Sequence, residues 1–185
     1  MSVVFSKEEH PEGTNIPGCS PAPGRSHVVL VHGTFSSTVL SFSAMAPRLA
    51  NSGYCVHALN YGAREEDDWF KATGPIEQSA ESVGQFIDEV LLKTGADRVD
   101  LIGHSQGGLL GFYLIKHKGY DNKIRHFLAM APSVAGTTLA GDPDNAEERY
   151  CVACVEQNPE SPIIKKLQDG PLTLPSVKYT VLATK

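Results

Sequence analysis

An α/β domain, with a mostly parallel sheet and helices on both faces, is the fold class this sequence predicts. Three features carry the expectation. His27-Val28-Val29-Leu30-Val31-His32 is a β-branched run without polar alternation, which marks a strand buried on both faces. Ile76, Ala80, Val83, Ile87, Val90 and Leu91 fall on one face of a 3.6-residue period. Strand-like and helix-like segments then alternate along the chain, as right-handed βαβ units require.

In chain order, residues 1–26 carry Pro11, Gly13, Pro17, Gly18, Pro21, Pro23 and Gly24, and read as an irregular lead-in. The domain proper is expected over 27–185. Its first strand is the 27–32 run, stopped by Gly33. Phe42, Met45 and Leu49 predict a helix over 41–51, with Gly53 as its C-terminal cap. Residues 55–60 predict a second strand and 64–68 a charged, solvated loop. Gly74-Pro75-Ile76-Glu77 predicts a helix start with proline at the first position, and Lys93-Thr94-Gly95 its end. A third strand is expected over 98–102, a glycine-dense turn over 103–108 and a nearly all-buried helix over 109–117. A fourth strand is expected over 126–131. The Gly/Pro/Asp/Ser-rich stretch 132–170 shows one short helical segment near 163–167, and a fifth strand is expected over 177–183.

Composition excludes classes without selecting a function. The chain has 185 residues, with 16 basic against 21 acidic side chains and a formal net charge of −5. No basic stripe replaces the missing positive charge, so no nucleic-acid partner is expected. Charged residues at 20% and hydrophobic ones at 41% fit a globular chain. No apolar run approaches the roughly 18–20 residues of a transmembrane helix, and the lead-in has no apolar core of a signal peptide. Four cysteines, at 19, 55, 151 and 154, permit two disulfides in three connectivities, or free buried thiols. Cys151-x-x-Cys154 lacks both a second cysteine pair and a thioredoxin-like context, so no metal site is expected.

Gly103-His104-Ser105-Gln106-Gly107 matches G-x-S-x-G between a buried strand and a helix. A serine in so tight a turn adopts strained backbone angles, and the residues two before and two after must be small. Gly103, Gly107 and Gly108 meet that need. Ser105 is therefore the candidate nucleophile, lifted above the C-terminal edge of the sheet. The competing reading, a phosphate cradle at a helix N-terminus, lacks the lysine of a P-loop. Acyl transfer also needs two backbone N–H donors for the developing oxyanion. Gln106, after the nucleophile, would supply one and Thr34, after the first strand, the other; the Thr34 hydroxyl could add a third bond. His32 and His104 belong to the turn scaffolds and are not taken as the base.

With these motifs in view, the sequence resembles the secreted bacterial triacylglycerol lipases of the class 2 lipase group. The resemblance rests on residues 28–34, on Gly53-Tyr54-Cys55-Val56 with residues 58–62, on residues 99–108 and on residues 179–184. It implies the α/β-hydrolase fold and hydrolysis of lipid or small carboxylic esters through an acyl-enzyme on Ser105, without a cofactor. It also implies secretion and the pairs Cys19–Cys55 and Cys151–Cys154. Ala131-Pro132-Ser133-Val134-Ala135-Gly136-Thr137 keeps the family's proline and Gly-Thr but not the residues between, which bears on acyl-chain preference.

In this fold the acid and histidine of a triad follow the serine. Downstream of Ser105 stand only His117 and His126. The first lies about 18 Å along the nucleophile helix at 1.5 Å per residue, and the second at the start of a strand, at the wrong end of the sheet. Asp142, Asp144 and Asp169 sit in loops. The expectation is a lipase lacking its last strand and helix, nearly inactive alone and prone to associate through its fifth strand. The alternatives are a non-catalytic α/β-hydrolase-like binding protein and a thioesterase or acyltransferase. Residues 142–170 could form a small lid or a surface loop.

Overall fold

The computed structural model describes residues 10–63, 70–138 and 151–183. Five strands are present: β1 (His27–Val31), β2 (Cys55–Ala58), β3 (Val99–His104), β4 (Ile124–Met130) and β5 (Lys178–Leu182). They form one sheet in the order β2-β1-β3-β4-β5, with every neighbouring pair parallel. The chain leaves β1 toward one edge and returns to β3 on its other side. The loops that follow β1 and β3 therefore meet at the carboxyl ends of adjacent strands, where open α/β sheets bind ligands.

Alternate residues of β1 feed two separate cores. Val28 and Leu30 pack with Phe42 of α1 (Thr38–Phe42) and Ala46 of α2 (Met45–Asn51). Val29 and Val31 pack on the opposite face, with α3 (Ile76–Thr94) and α4 (Gln106–His117). Period-2 alternation persists in direction but not in polarity, because both faces are covered. Tight helix–sheet packing depends on Gly111: a Cβ there would run into the Phe127 ring of β4.

Several boundaries differ from the sequence expectation for identifiable reasons. The helix expected over 41–51 is two helices, not one. Pro47 has no N–H for the carbonyl of residue 43 and its ring would crowd that group, so the chain breaks after Phe42. Restarting at Met45 puts the proline in a first turn, where it is tolerated. Pro75 is the N-cap of α3 rather than its first residue, with φ −55° and ψ 138°. The first free amide, at Ile76, donates to the Glu156 carboxylate at 2.6 Å, a cap supplied 80 residues away. The helix expected from Leu109 begins at Gln106, so Gly107 and Gly108 are helical rather than part of a turn.

The 132–170 stretch also holds more structure than its composition suggests. Beside α6 (Pro162–Gln168) stands α5 (Val152–Glu156), which was not anticipated. Cys154 and Ala153 of α5, with Ile163, Ile164 and Leu167 of α6, are buried in the α3–α4 core. Within 151–170, residues 152–156 and 162–168 are thus packed helices joined by a turn. The charged loop 64–68, Asp142 and Asp144 lie outside the described residues.

Both disulfides have the pairing that the resemblance implied, Cys19–Cys55 and Cys151–Cys154. The first anchors the lead-in along the outer edge of β2. There Thr14 forms a parallel bridge with Val56, and the Asn15 side chain holds both the N–H and the C=O of Ala58. This covers one edge of the sheet. On β5, Val181 and Leu182 are half exposed, and no strand pairs with its outer edge among the described residues.

Loop length sets the expected worth of each bridge. Cys19–Cys55 closes a separation of 36 residues and Cys151–Cys154 one of 3. Chain entropy assigns about 4 and about 2 kcal/mol respectively. Urea unfolding of the two double Cys→Ser variants should therefore rank them in that order; equal losses would mean that native-state strain, not loop entropy, dominates.

Candidate active site

Ser105 joins β3 to α4 at φ 52° and ψ −116°, a left-handed backbone that a residue with a Cβ adopts only under tertiary constraint. The constraint is visible on both sides. A Cβ on Gly103 would run into the carbonyl of Gly107, 2.6 Å from its carbon. A Cβ on Gly107 would run into the Val31 carbonyl oxygen and stand 2.7 Å from that of His32. Gly107 is therefore required by the approach of α4 to the end of β1, and Gly103 by that of α4 to the end of β3. The Ser105 N–H donates to the Met130 carbonyl at 2.9 Å, which fixes the turn against β4.

The loop after β1 is packed directly onto this turn. A Cβ on Gly33 would lie 3.0 Å from the Ser105 Cβ and 3.3 Å from the His104 ring. His32 is fully buried, stacked on Tyr61 with ring centroids 4.5 Å apart. Its Nδ1 faces the Gly33 carbonyl at 2.9 Å, and a carbonyl can only accept, so Nδ1 carries the proton. Tyr61 in turn donates its hydroxyl to the His32 carbonyl at 2.6 Å. Burial lowers the His32 pKa to about 4, against a partial upward pull from the Gly33 hydrogen bond. His32 is a neutral strut, as its place in the turn scaffold suggested.

The structure brings Ser105, Thr34, Gln106, Gly103 and Gly107 together. The Thr34 and Gln106 amide N–H groups, the two expected oxyanion donors, make no hydrogen bond among the described residues. The Thr34 hydroxyl accepts from the Gln106 side chain at 3.1 Å and from that of Gln157 at 3.0 Å. Gln157, at the C-terminal end of α5, was not anticipated: nothing local in a loop-like stretch singles it out, and only the packing of α5 delivers it.

No side chain among the described residues hydrogen-bonds the Ser105 hydroxyl. His126 faces Asp100 at 3.0 Å, beside Arg125 and Ser26, on the opposite half of the sheet. His117 closes α4 against Tyr113. Asp169 follows α6, and its backbone oxygen accepts from Lys116. Among the described residues no group of three His, Cys, Asp or Glu is placed to hold a metal, and no helix is long and apolar enough to cross a membrane. A cavity of about 460 Å³ lies between the lead-in and α3, lined by Cys19, His57 and Phe86 among others, and none of its lining residues belongs to the Ser105 cluster.

A parallel sheet, a strained serine at the strand–helix junction and a packed loop after β1 define an alpha/beta hydrolase. The chain belongs to the alpha/beta hydrolase fold family, which matches residues 26–151. It is similar to a triacylglycerol lipase of Pseudarthrobacter phenanthrenivorans, 32% identical over 133 residues, covering 69% of this chain and 36% of the relative. A triacylglycerol lipase of Burkholderia plantarii is also 32% identical over 133 residues, covering 69% of this chain and 32% of the relative. The chain thus spans about a third of the length of these curated relatives. In fold it is similar to a Bacillus licheniformis lipase in its propeptide form, with a TM-score of 0.70 at 18% identity over 91% of this chain and 38% of the other. Aspergillus fumigatus lipase B gives a TM-score of 0.67 at 17% identity, over 94% and 39%.

Two expectations follow from this geometry. Gly107→Ala should destabilise the fold by at least about 2 kcal/mol in urea unfolding, since the obstruction is backbone on both sides; an unchanged midpoint would show that α4 can slide. The second concerns pH. His32 titrates near 4 when folded and near 6.5 when unfolded. The unfolded chain binds the extra proton between those values, so stability is full above pH 6.5 and is lost as pH falls toward 4. His57, half-buried with its Nε2 3.0 Å from the His27 ring and also lowered to about 4, acts with the same sign. Unfolding free energies from urea titration at pH 7 and pH 4.5 should therefore differ by about 2–5 kcal/mol, and His57→Gln should reduce the difference; a flat profile would contradict the neutral state of these rings.

Proposed function

We propose that this chain carries the nucleophile of a secreted serine ester hydrolase, of the class 2 triacylglycerol lipase type. The observation that supports it best is Ser105 itself, held at φ 52° beside two unpaired backbone N–H groups. Strained serines persist where surrounding packing over-determines them, and that combination suits acyl transfer. In this reading the Ser105 hydroxyl oxygen attacks the ester carbonyl, and the carbonyl oxygen becomes an oxyanion bound by the Thr34 and Gln106 N–H groups. The Thr34 hydroxyl is the third donor. Collapse breaks the bond to the alkoxide, which leaves as the alcohol with the proton given up by Ser105, and water then cleaves the acyl–Ser105 ester to the carboxylic acid and restores the serine hydroxyl.

The surroundings favour an apolar ester. Phe35, next to Thr34, is half exposed and meets the exposed Phe70 edge-on at 6.2 Å, with exposed Leu40 on α1. Such an apolar rim at the mouth of a polar site suits an alkyl or acyl chain. Two disulfides fit an oxidising compartment and so accord with secretion.

A second reading, a non-catalytic binding protein on the same fold, is favoured by the lack of a base at the Ser105 hydroxyl among the described residues. A p-nitrophenyl alkylphosphonate separates the two. Slow but stoichiometric modification of Ser105, located by peptide mass spectrometry and abolished in Ser105→Ala, is expected of the hydrolase. No modification, or modification elsewhere, would support the binding protein. Turnover of p-nitrophenyl butyrate by the 185-residue chain should fall several orders of magnitude below that of a complete triad enzyme; brisk turnover lost in Ser105→Ala would show that a base is present after all.

A further inference from the structure

We propose that Gln157 is a positioning residue for the oxyanion site: together with Gln106 it forces the Thr34 hydroxyl to act as a donor. The inference rests on the reading of Thr34 as an oxyanion ligand given above.

The amide orientations follow from their other partners. The Gln106 Nε2 lies 3.0 Å from the Ala72 carbonyl and the Gln157 Nε2 lies 3.1 Å from the Ala153 carbonyl. A backbone carbonyl can only accept, so each of these contacts requires the NH2 end of the glutamine at that place. Gln157 is fixed at its other end as well, since its Oε1 accepts from the Ser133 hydroxyl at 2.8 Å. Both NH2 groups then reach Thr34 Oγ1, at 3.1 and 3.0 Å. A hydroxyl oxygen has two acceptor sites and one proton. With both acceptor sites filled, the proton has to be given to something else, and no acceptor takes it among the described residues. Two N–H donors also polarise the hydroxyl and strengthen the bond it can give.

Burial makes this arrangement rigid. Gln106 is fully buried and Gln157 is 3% exposed, so water does not compete for either amide. Gln157 is held further by its backbone, whose carbonyl accepts from Thr137 and whose N–H donates to Ala153. Its helix starts at the Cys151–Cys154 bridge and is tied to α3 through Glu156. The donor character of Thr34 is thus set from a segment more than a hundred residues downstream.

Gln157→Met keeps size and removes all three side-chain hydrogen bonds, to Thr34, Ala153 and Ser133; Gln157→Glu keeps shape and reverses polarity, so that the carboxylate would draw the Thr34 proton to itself. Two readouts are compared in the 185-residue chain. One is the rate at which the p-nitrophenyl alkylphosphonate modifies Ser105, alone and in a Thr34→Val background. The other is the Thr34 χ1 rotamer population, from methyl NMR couplings. Gln157→Met should slow modification about tenfold, a fraction of the loss when a direct oxyanion donor is removed, and Gln157→Glu should slow it more. Neither change should slow it further once Thr34 is valine, and Thr34 should pass from one rotamer to several in Gln157→Met. Equal slowing in both backgrounds, or none, would overturn the proposal. If wild type is not modified at Ser105 at all, the hydrolase reading fails separately, and the rotamer populations alone decide the positioning role: release supports it, no change overturns it. If Gln157→Met does not fold, Ser133→Ala frees the far end of the amide and should give the same effects, smaller in size.

Discussion

The rest of the structure depends on the close packing of the first turn of α4 against the ends of β1 and β3. Gly107 sits against the carbonyls of Val31 and His32, and Gly103 sits against the carbonyl of Gly107. Neither contact leaves space for a Cβ. Because these two glycines are bare, β3 can run into α4 through a single strained residue, and that residue is the serine. The same approach brings the loop after β1 onto the turn, with Gly33 against Ser105 and Thr34 next in line. Geometry and candidate chemistry thus share one cause.

Polar satisfaction does the remaining work at this junction. Loop backbone buried at the top of a sheet cannot turn to water, so each group must find a partner within the protein. Tyr61 serves the His32 carbonyl, His32 serves the Gly33 carbonyl, and the Gln106 side chain serves Ala72. What this network leaves unpaired is informative. The N–H groups of Thr34 and Gln106 and the hydroxyls of Thr34 and Ser105 retain hydrogen-bonding capacity, all at the switch point of the sheet. His32 Nε2 and Gln106 Oε1 are also buried there without a hydrogen-bond partner among the described residues, so the capacity left open at this junction includes acceptors as well as donors.

The helices α5 and α6 link the two sides of this arrangement. They close the α3–α4 core with Ile163, Ile164 and Leu167, cap α3 through Glu156 and reach Thr34 through Gln157. Their anchor is a disulfide across a single helical turn. The sequence reads a helix only near 163–167, which is α6, and leaves α5 as loop, because the apolar residues of α5 are few and their partners are distant in sequence. Such short helices form only when a neighbouring core pays for their ordering.

The sequence by itself determined the sheet strands, the long amphipathic helix and the strand–serine–helix junction with its two glycines. These are legible because strand burial, 3.6-residue periodicity and the steric demand of a tight turn are local properties, written within ten or twenty consecutive residues. The expectation that Thr34 and Gln106 flank Ser105 rested on equally local signals, each lying beside a motif. Tertiary structure decided the rest: the break at Pro47, the cap on α3, the helix α5 and the convergence of Gln157, Gln106 and Thr34. Each of those depends on a partner far along the chain, and a hydrogen bond between residues 34 and 157 leaves no periodic trace in either neighbourhood. Local physics wrote the turn that presents the serine, and packing across the sheet decided which groups surround it.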